Sequence, residues 1–390
     1  MDESKTYLDK IIELNELKVN ELLNTNKIEY YYNYIKNLLF DYFILIILFY
    51  LLIQPRIFKY NGQNKYLNHK IFLIILILII IYYLVKVFYR KYSKIGNILR
   101  TNECLILSNK VIVNRTIKPI ELKTELLLNP FYEFIINTSH NTYIPCTQNI
   151  DIVSCEAIKY ALAMGARVIE LDCFAKNNKG TTLDDMTPIV AHGLERKSGD
   201  YFTTSYINFE ECINVILQFG FLTSDPLIIC LELNTNKLNL VQKKMREIII
   251  QKLGDKLLNQ SFKISQGPNR KIFTYEPIKN LLNKVIFLSG EGYTDELTDI
   301  IDGTFNESQY FNNTNNTDNN LNEPNKLGVI QRIYPTSNLS GHLSLNYDPT
   351  KFWKNKYQLV ALNFQAIDHN FIKNIAMFKF NSFVHFSEFN

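Results

Sequence analysis

Four short segments of this chain carry polar residues whose types and spacing suit joint chemistry. Ser139-His140-Asn141-Thr142-Tyr143 offers a histidine and an amide, and Glu170-Leu171-Asp172 offers two carboxylates. Ala191-His192-Gly193 adds a second histidine, and Leu231-Glu232-Leu233-Asn234 a third carboxylate. On an extended strand a spacing of two puts Glu170 and Asp172 on one face. Three carboxylates with the amide oxygen of Asn141 make a hard-oxygen cage of the kind that holds calcium. Two histidines outside that cage, His140 and His192, suit proton transfer or charge stabilisation. Taken singly, each residue has a plain explanation as a strand-end charge or a satisfied turn histidine. Their joint placement at the ends of four successive strand-like segments is much harder to explain that way.

The elements that must position these residues alternate in type. β-branched and apolar runs predict strands at Phe134–Thr138, Arg167–Cys173, Pro188–Ala191, Leu227–Leu233, Lys284–Leu288, Val329–Tyr334 and Gln358–Phe364. Helical stretches such as Cys155–Met164, Phe209–Phe219 and Asn239–Leu253 lie between them. Strands alternating with helices imply parallel β/α units, and this many suggest a closed α/β barrel rather than an open sheet. In such a barrel the chemistry sits at the C-terminal ends of the strands, where the polar segments fall.

Read together, these blocks resemble the eukaryotic phosphoinositide-specific phospholipase C family. The X half of that family is carried by Ile135–Tyr143, Arg167–Cys173, His192-Gly193 and Pro226–Glu232. The Y half is carried by Arg332-Ile333-Tyr334-Pro335, Asn346-Tyr347-Asp348-Pro349, Phe352-Trp353 and Gln358–Gln365. The resemblance implies a distorted TIM (β/α)8 barrel built from X and Y halves. It implies a calcium ion held by Asn141, Glu170, Asp172 and Glu232. His140 is expected to stabilise charge on the phosphorus-centred transition state, with His192 as general acid toward the leaving diacylglycerol oxygen. The attacking group would be the inositol 2-hydroxyl, with either Glu170 or Glu232 taking its proton. Arg332, Tyr334, Thr304 and Ser289 are the expected substrate contacts, and phosphatidylinositol or a phosphoinositide in a membrane is the expected partner. Two other readings stay open: a catalytically weak, membrane-tethered phosphoinositide-binding module, and a barrel phosphodiesterase acting on glycerophosphodiesters. The Y-half blocks speak against the second.

The chain departs from the family pattern after the fifth strand, where members commonly place two lysines facing the ring phosphates. Here the segment reads Leu288-Ser289-Gly290-Glu291-Gly292. A glutamate there repels a polyphosphorylated ring, so the expected preference moves toward phosphatidylinositol or its monophosphate. The Ala175–Thr187 loop is long, and Glu195–Asp200 looks inserted. The Asn-rich stretch Asn306–Asn325 reads as a structureless surface excursion.

Composition bounds the remainder. A formal net charge of +4 over 390 residues gives no argument for a nucleic-acid partner. Two apolar runs, Leu38–Ile53 and Ile71–Tyr89, approach the roughly 20 residues a spanning helix needs. Lysines and arginines cluster around them, as flanks of membrane helices or contacts to anionic headgroups. The expected organisation is an amphipathic helix over 1–36, a two-helix transmembrane hairpin over 37–90 and a connector over 91–128. The X half then occupies 129–290, a short linker with the Asn-rich insertion 291–327, and the Y half 328–390. That plan makes the hairpin an integral multi-pass membrane anchor with the catalytic domain facing the cytosol. The six cysteines show no CxxC pair or regular framework, so reduced thiols are expected.

Overall fold

The computed structural model describes residues 125–390 apart from 148–150, 194–200, 202, 204, 236–237, 259–272, 291–292, 305–310, 316–329, 336–344 and 390, together with scattered positions between 73 and 104. The chain divides into two compact units, Lys18–Arg100 on one side and Met1–Leu17 with Thr101–Asn390 on the other. The polar segments singled out above all lie in the second.

Eight parallel strands lie side by side in the order β7-β6-β5-β2-β1-β10-β9-β8, a TIM-barrel-like α/β arrangement. They are β1 (Phe134–Ser139), β2 (Val168–Ala175), β5 (Leu227–Leu233), β6 (Val285–Ser289), β7 (Gly303–Thr304), β8 (Phe311–Asn315), β9 (Ile330–Tyr334) and β10 (Leu359–Leu362). Both faces of β1, β2, β6 and β10 are buried, which is why β6 and β10 run apolar without alternation, while β1 and β2 also bury polar residues such as Asn137, Glu170 and Asp172. The strands from the first part of the chain meet those from the last at β1 and β10, with Ser139 level with Leu362. Phe134, Val168, Ile228, Ile286, Ile330 and Leu359 share one core cluster, so six strands contribute to the same packed interior.

Helices α1 (Cys155–Ala163), α2 (Phe209–Phe219) and α3 (Leu238–Leu253) connect the early strands. Ser154 caps α1 by accepting from the Glu156 N–H. Later come α4 (Thr350–Lys354) and α5 (His369–Met377), the latter capped by Asp368, whose carboxylate accepts from the Phe371 N–H. Tertiary packing orders these short helices, since five to nine residues are marginal alone.

Several sequence expectations change here. The segment around Ile189 is not a parallel barrel strand. As β3 (Pro188–Val190) it folds back antiparallel on the far end of β2, with Cys173 opposite Val190, and pairs outward with β4 (Ile207–Asn208). The Asn-rich stretch contains β8, paired in register with β9 from Phe311↔Ile330 to Asn315↔Tyr334. Its polar composition hides a strand that the ladder with β9 reveals. A last strand, β11 (Phe383–His385), runs antiparallel against the start of β1.

The transmembrane hairpin over 37–90, and with it the multi-pass membrane localisation and cytosol-facing orientation, is overturned. Among the described residues no helix is long and apolar enough to cross a membrane. The run Leu38–Ile53 and the helix expected over 1–36 lie outside the described residues. In the second run the described helical positions extend from Leu73 to Val85. The expectation of reduced thiols is corrected for one pair: Cys104 and Cys146 form a disulfide with Cα atoms 5.3 Å apart. The two cysteines, 42 residues apart, carry no spacing signal that announces a bridge. Cys155, Cys173, Cys212 and Cys230 are free.

Candidate active site

Parallel register assembles the acidic cluster. Because β2 and β5 pair with Asp172 level with Glu232, their carboxylates are neighbours across one ladder step. Glu170 lies two residues back on the same face of β2. The three offer oxygens within 4.8 Å of one another, with Glu170 and Asp172 buried and Glu232 half-buried. Three carboxylates this close cannot remain ionised in a dry interior without a compensating cation.

Arg332, on β9, supplies positive charge. Its guanidinium donates from Nη2 to Glu170 Oε1, and the two side chains are 3% and 2% exposed. Burial by itself pushes the Glu170 carboxyl upward, but Arg332, His140 and the N–H of Asn141 outweigh it and hold the group at about 2. Tyr334 lies beyond, its ring 5.2 Å from the Arg332 guanidinium and stacked along the His140 ring at 6.2 Å.

Asn141 borders the cluster from the turn after β1. Its N–H donates to Glu170 Oε2 at 3.1 Å, and its amide oxygen accepts from the Tyr143 hydroxyl at 3.2 Å. The backbone here has φ of 44°, the left-handed region that asparagine tolerates better than most residues. Thr142 staples the same turn to β2, accepting from the Glu170 N–H at 3.0 Å while donating to Ser139 Oγ. Sequence reasoning passed over Thr142 and Tyr143, although both stand in the segment it singled out.

The two histidines approach the cluster from different sides. His140 Nε2 is 3.9 Å from Glu170 Oε2, while Nδ1 lies 2.9 Å from Asn363 Oδ1. Burial lowers the His140 pKa from its usual value, against the opposing pull of Glu170. His192 follows β3 and reaches the site by the fold-back: the N–H of Ala191 donates to the Asp172 carbonyl. The side-chain amide of Asn141 is 3.4 Å from His192 Nε2, and the His192 N–H donates to Thr203 Oγ1. All six residues expected at the centre, His140, His192, Asn141, Glu170, Asp172 and Glu232, are therefore drawn into one contiguous cluster.

The other expected contacts divide. Arg332 and Tyr334 adjoin the cluster. Ser289 does not present its hydroxyl there: it is fully buried, and Oγ donates to the Leu231 carbonyl of the neighbouring strand. Thr304 lies level with Ser289 on β7. Glu291 is outside the described residues. Asn363, at the end of β10, belongs to the site through His140, and only its position just past a strand end could have signalled it.

Comparison with known proteins agrees with this architecture. The family model "Phosphatidylinositol-specific phospholipase C, X domain" matches residues 127–289, and that of the Y domain matches 296–384. A relative from Saccharomyces cerevisiae, 1-phosphatidylinositol 4,5-bisphosphate phosphodiesterase 1, is 36% identical over 137 residues, covering 34% of this chain and 14% of that protein. The beta-1 phosphodiesterase of Bos taurus is 24% identical over 356 residues, covering 69% of this chain and 28% of its own length. The chain thus spans only a minor part of either relative. The crystal structure of L. pealei PLC21 shares the fold, with a TM-score of 0.52 at 20% identity over 66% of this chain and 37% of that one. Matched in order by both domains over more than half its length, the chain belongs to the phosphatidylinositol-specific phospholipase C family.

Proposed function

We propose that this chain is a calcium-dependent phosphodiesterase that cleaves phosphatidylinositol or a phosphoinositide to diacylglycerol and an inositol phosphate. The observation that carries the reading is the convergence of Asn141, Glu170, Asp172 and Glu232 beside His140 and His192. Relatives named as 1-phosphatidylinositol 4,5-bisphosphate phosphodiesterases support it. The donor set suits a hard divalent cation, being carboxylate and amide oxygen in a buried cluster. Calcium bound by those four residues would lower the pKa of the inositol 2-hydroxyl and offset charge on the phosphate.

The chain's own groups do the rest. Glu170 or Glu232 takes the proton of the 2-hydroxyl as that oxygen attacks phosphorus and the bond to diacylglycerol breaks; the cyclic inositol phosphate so formed is then opened by water. His140 Nε2 faces the carboxylates; with a proton on that nitrogen as well, the ring would stabilise charge gathering on the phosphoryl oxygens. His192 gives a proton to the departing diacylglycerol oxygen. Tyr334 packs against the ring, and Arg332 contacts its substituents. Because Ser289 and Glu291 stand where lysines are common in the family, the preferred ring carries few phosphates.

The test supplies vesicles of phosphatidylinositol, its monophosphate or its bisphosphate, and follows release of water-soluble inositol phosphate with calcium and with chelator. Calcium-dependent release ranked toward the less phosphorylated lipids is expected. Vesicle binding without release from any of them would instead favour a catalytically weak binding module.

A further inference from the structure

The pairing of β1 with β10 brings two strand ends from distant parts of the chain into contact. Ser139 is level with Leu362, and the His140 N–H donates to the Leu362 carbonyl at 2.8 Å. The next residues, His140 and Asn363, therefore stand side by side. Both are buried, and His140 Nδ1 meets Asn363 Oδ1 at 2.9 Å across 223 residues of sequence. An amide oxygen only accepts, so this contact requires the proton on Nδ1.

Asn363 is itself fixed on its backbone side. Its N–H donates to Asn346 Oδ1 at 2.6 Å, and Asn346 Nδ2 donates to the Asn363 and Ala366 carbonyls at 3.1 and 3.0 Å. The Asn346 N–H in turn donates to Asp368 Oδ2 at 2.7 Å. Asp368 is anchored by capping α5 through its other oxygen. The chain of contacts from α5 through Asp368 and Asn346 to Asn363 leaves little freedom in the strand end that bears the amide.

We propose that Asn363 is the positioning residue of His140, holding the ring in the Nδ1–H form with Nε2 turned to the carboxylates. A histidine at a reacting centre needs a partner on its far nitrogen to set ring plane and tautomer. A neutral amide does this while leaving no further negative charge beside an already crowded acidic cluster. The catalytic meaning of that position rests on the function proposed above, but the tautomer does not.

The full chain with ¹⁵N-labelled histidine tests the assignment by long-range ¹H–¹⁵N correlation at pH 7.5 in chelator, with the His140 signals assigned by their loss in His140→Gln. The expected wild-type pattern has a protonated Nδ1. In Asn363→Leu that pattern should give way to the other tautomer or to a mixture. Its kcat should fall by about 100-fold, the size of loss a misplaced reacting group brings, with KM changed less than about twofold. Asn363→Asp keeps an oxygen acceptor, so it should keep Nδ1 protonated and recover much of the rate. A wild-type ring with Nδ1 unprotonated would overturn the proposal, even if Asn363→Leu does not fold. So would an Asn363→Leu chain with unchanged tautomer and kcat. A wild-type chain that holds the Nδ1–H form yet cleaves no lipid would sink the proposed function and leave the assignment of Asn363 standing.

Discussion

Replacing Arg332 with methionine removes the cation from the acidic cluster while keeping most of the side chain's bulk. The Glu170 carboxylate would then lie 2% exposed beside Asp172 and Glu232, without its guanidinium partner. Opposite charges about 4 Å apart attract by about 4 kcal/mol at an effective dielectric of 20. Breaking a buried pair from one side costs about 3–5 kcal/mol. For a domain of this size each kcal/mol is worth about 2–4 °C in Tm, so a drop of about 6–20 °C is expected in chelator. Calcium should behave differently in the two proteins. In the wild type it must draw Glu170 away from Arg332, whereas in Arg332→Met it meets an uncompensated cluster. At 100 times its Kd calcium adds about 2.7 kcal/mol of stability, so where the variant is saturated and the more weakly binding wild type is not, the gap should narrow. Thermal melts of both chains, in chelator and across a calcium titration, read this directly. A chelator gap below about 1 kcal/mol, or equal calcium stabilisation of both chains, would refute the picture of Arg332 as the cluster's internal cation.

Three further outcomes follow from the same geometry. Asp172→Asn removes a ligand charge but preserves shape. It should weaken calcium binding, read by calorimetry, by at least the roughly 10–100-fold that losing a hydrogen-bonded neighbour of a ligand costs. Asn141 holds φ of 44°, so Asn141→Gly should fold with little loss while Asn141→Ala melts lower, by about 1 kcal/mol in urea titrations. Equal stability of the two would contradict the strained turn. Glu170 is held at about 2 against an ordinary 4.5, so its depressed pKa adds stability above pH 4.5 that disappears as pH falls toward 2. That contribution is about 3 kcal/mol at 1.36 kcal/mol per unit. In Glu170→Gln the acid-induced loss of stability over that window should be correspondingly shallower.

What the sequence made legible was whatever depends on local pattern. Continuous apolar runs closed by polar residues marked β1, β2, β5, β6, β9 and β10 to within two residues at each end. The two-residue spacing of Glu170 and Asp172 already put their carboxylates on one face. Antiparallel return was not legible: a three-residue strand such as β3 reads the same whether it extends the barrel or folds back on β2. Nor was β8, whose asparagines lack strand character and whose order comes from β9. The partner of His140 was hidden for a further reason, since Asn363 becomes its neighbour only through a ladder joining chain segments more than two hundred residues apart. Apolar length in the first hundred residues suggested two spanning helices, yet among the described residues no helix is long and apolar enough to cross a membrane.

The central claim is that His192 and the carboxylate cluster serve lipid cleavage by one site. Release of inositol phosphate from phosphatidylinositol vesicles, measured for wild type and His192→Ala with calcium and with chelator, tests it most directly. The account predicts release by the wild type only with calcium, and a rate about 10²–10⁴-fold lower in His192→Ala while vesicle binding is retained. Equal release by the two chains, or release undiminished by chelator, would contradict it.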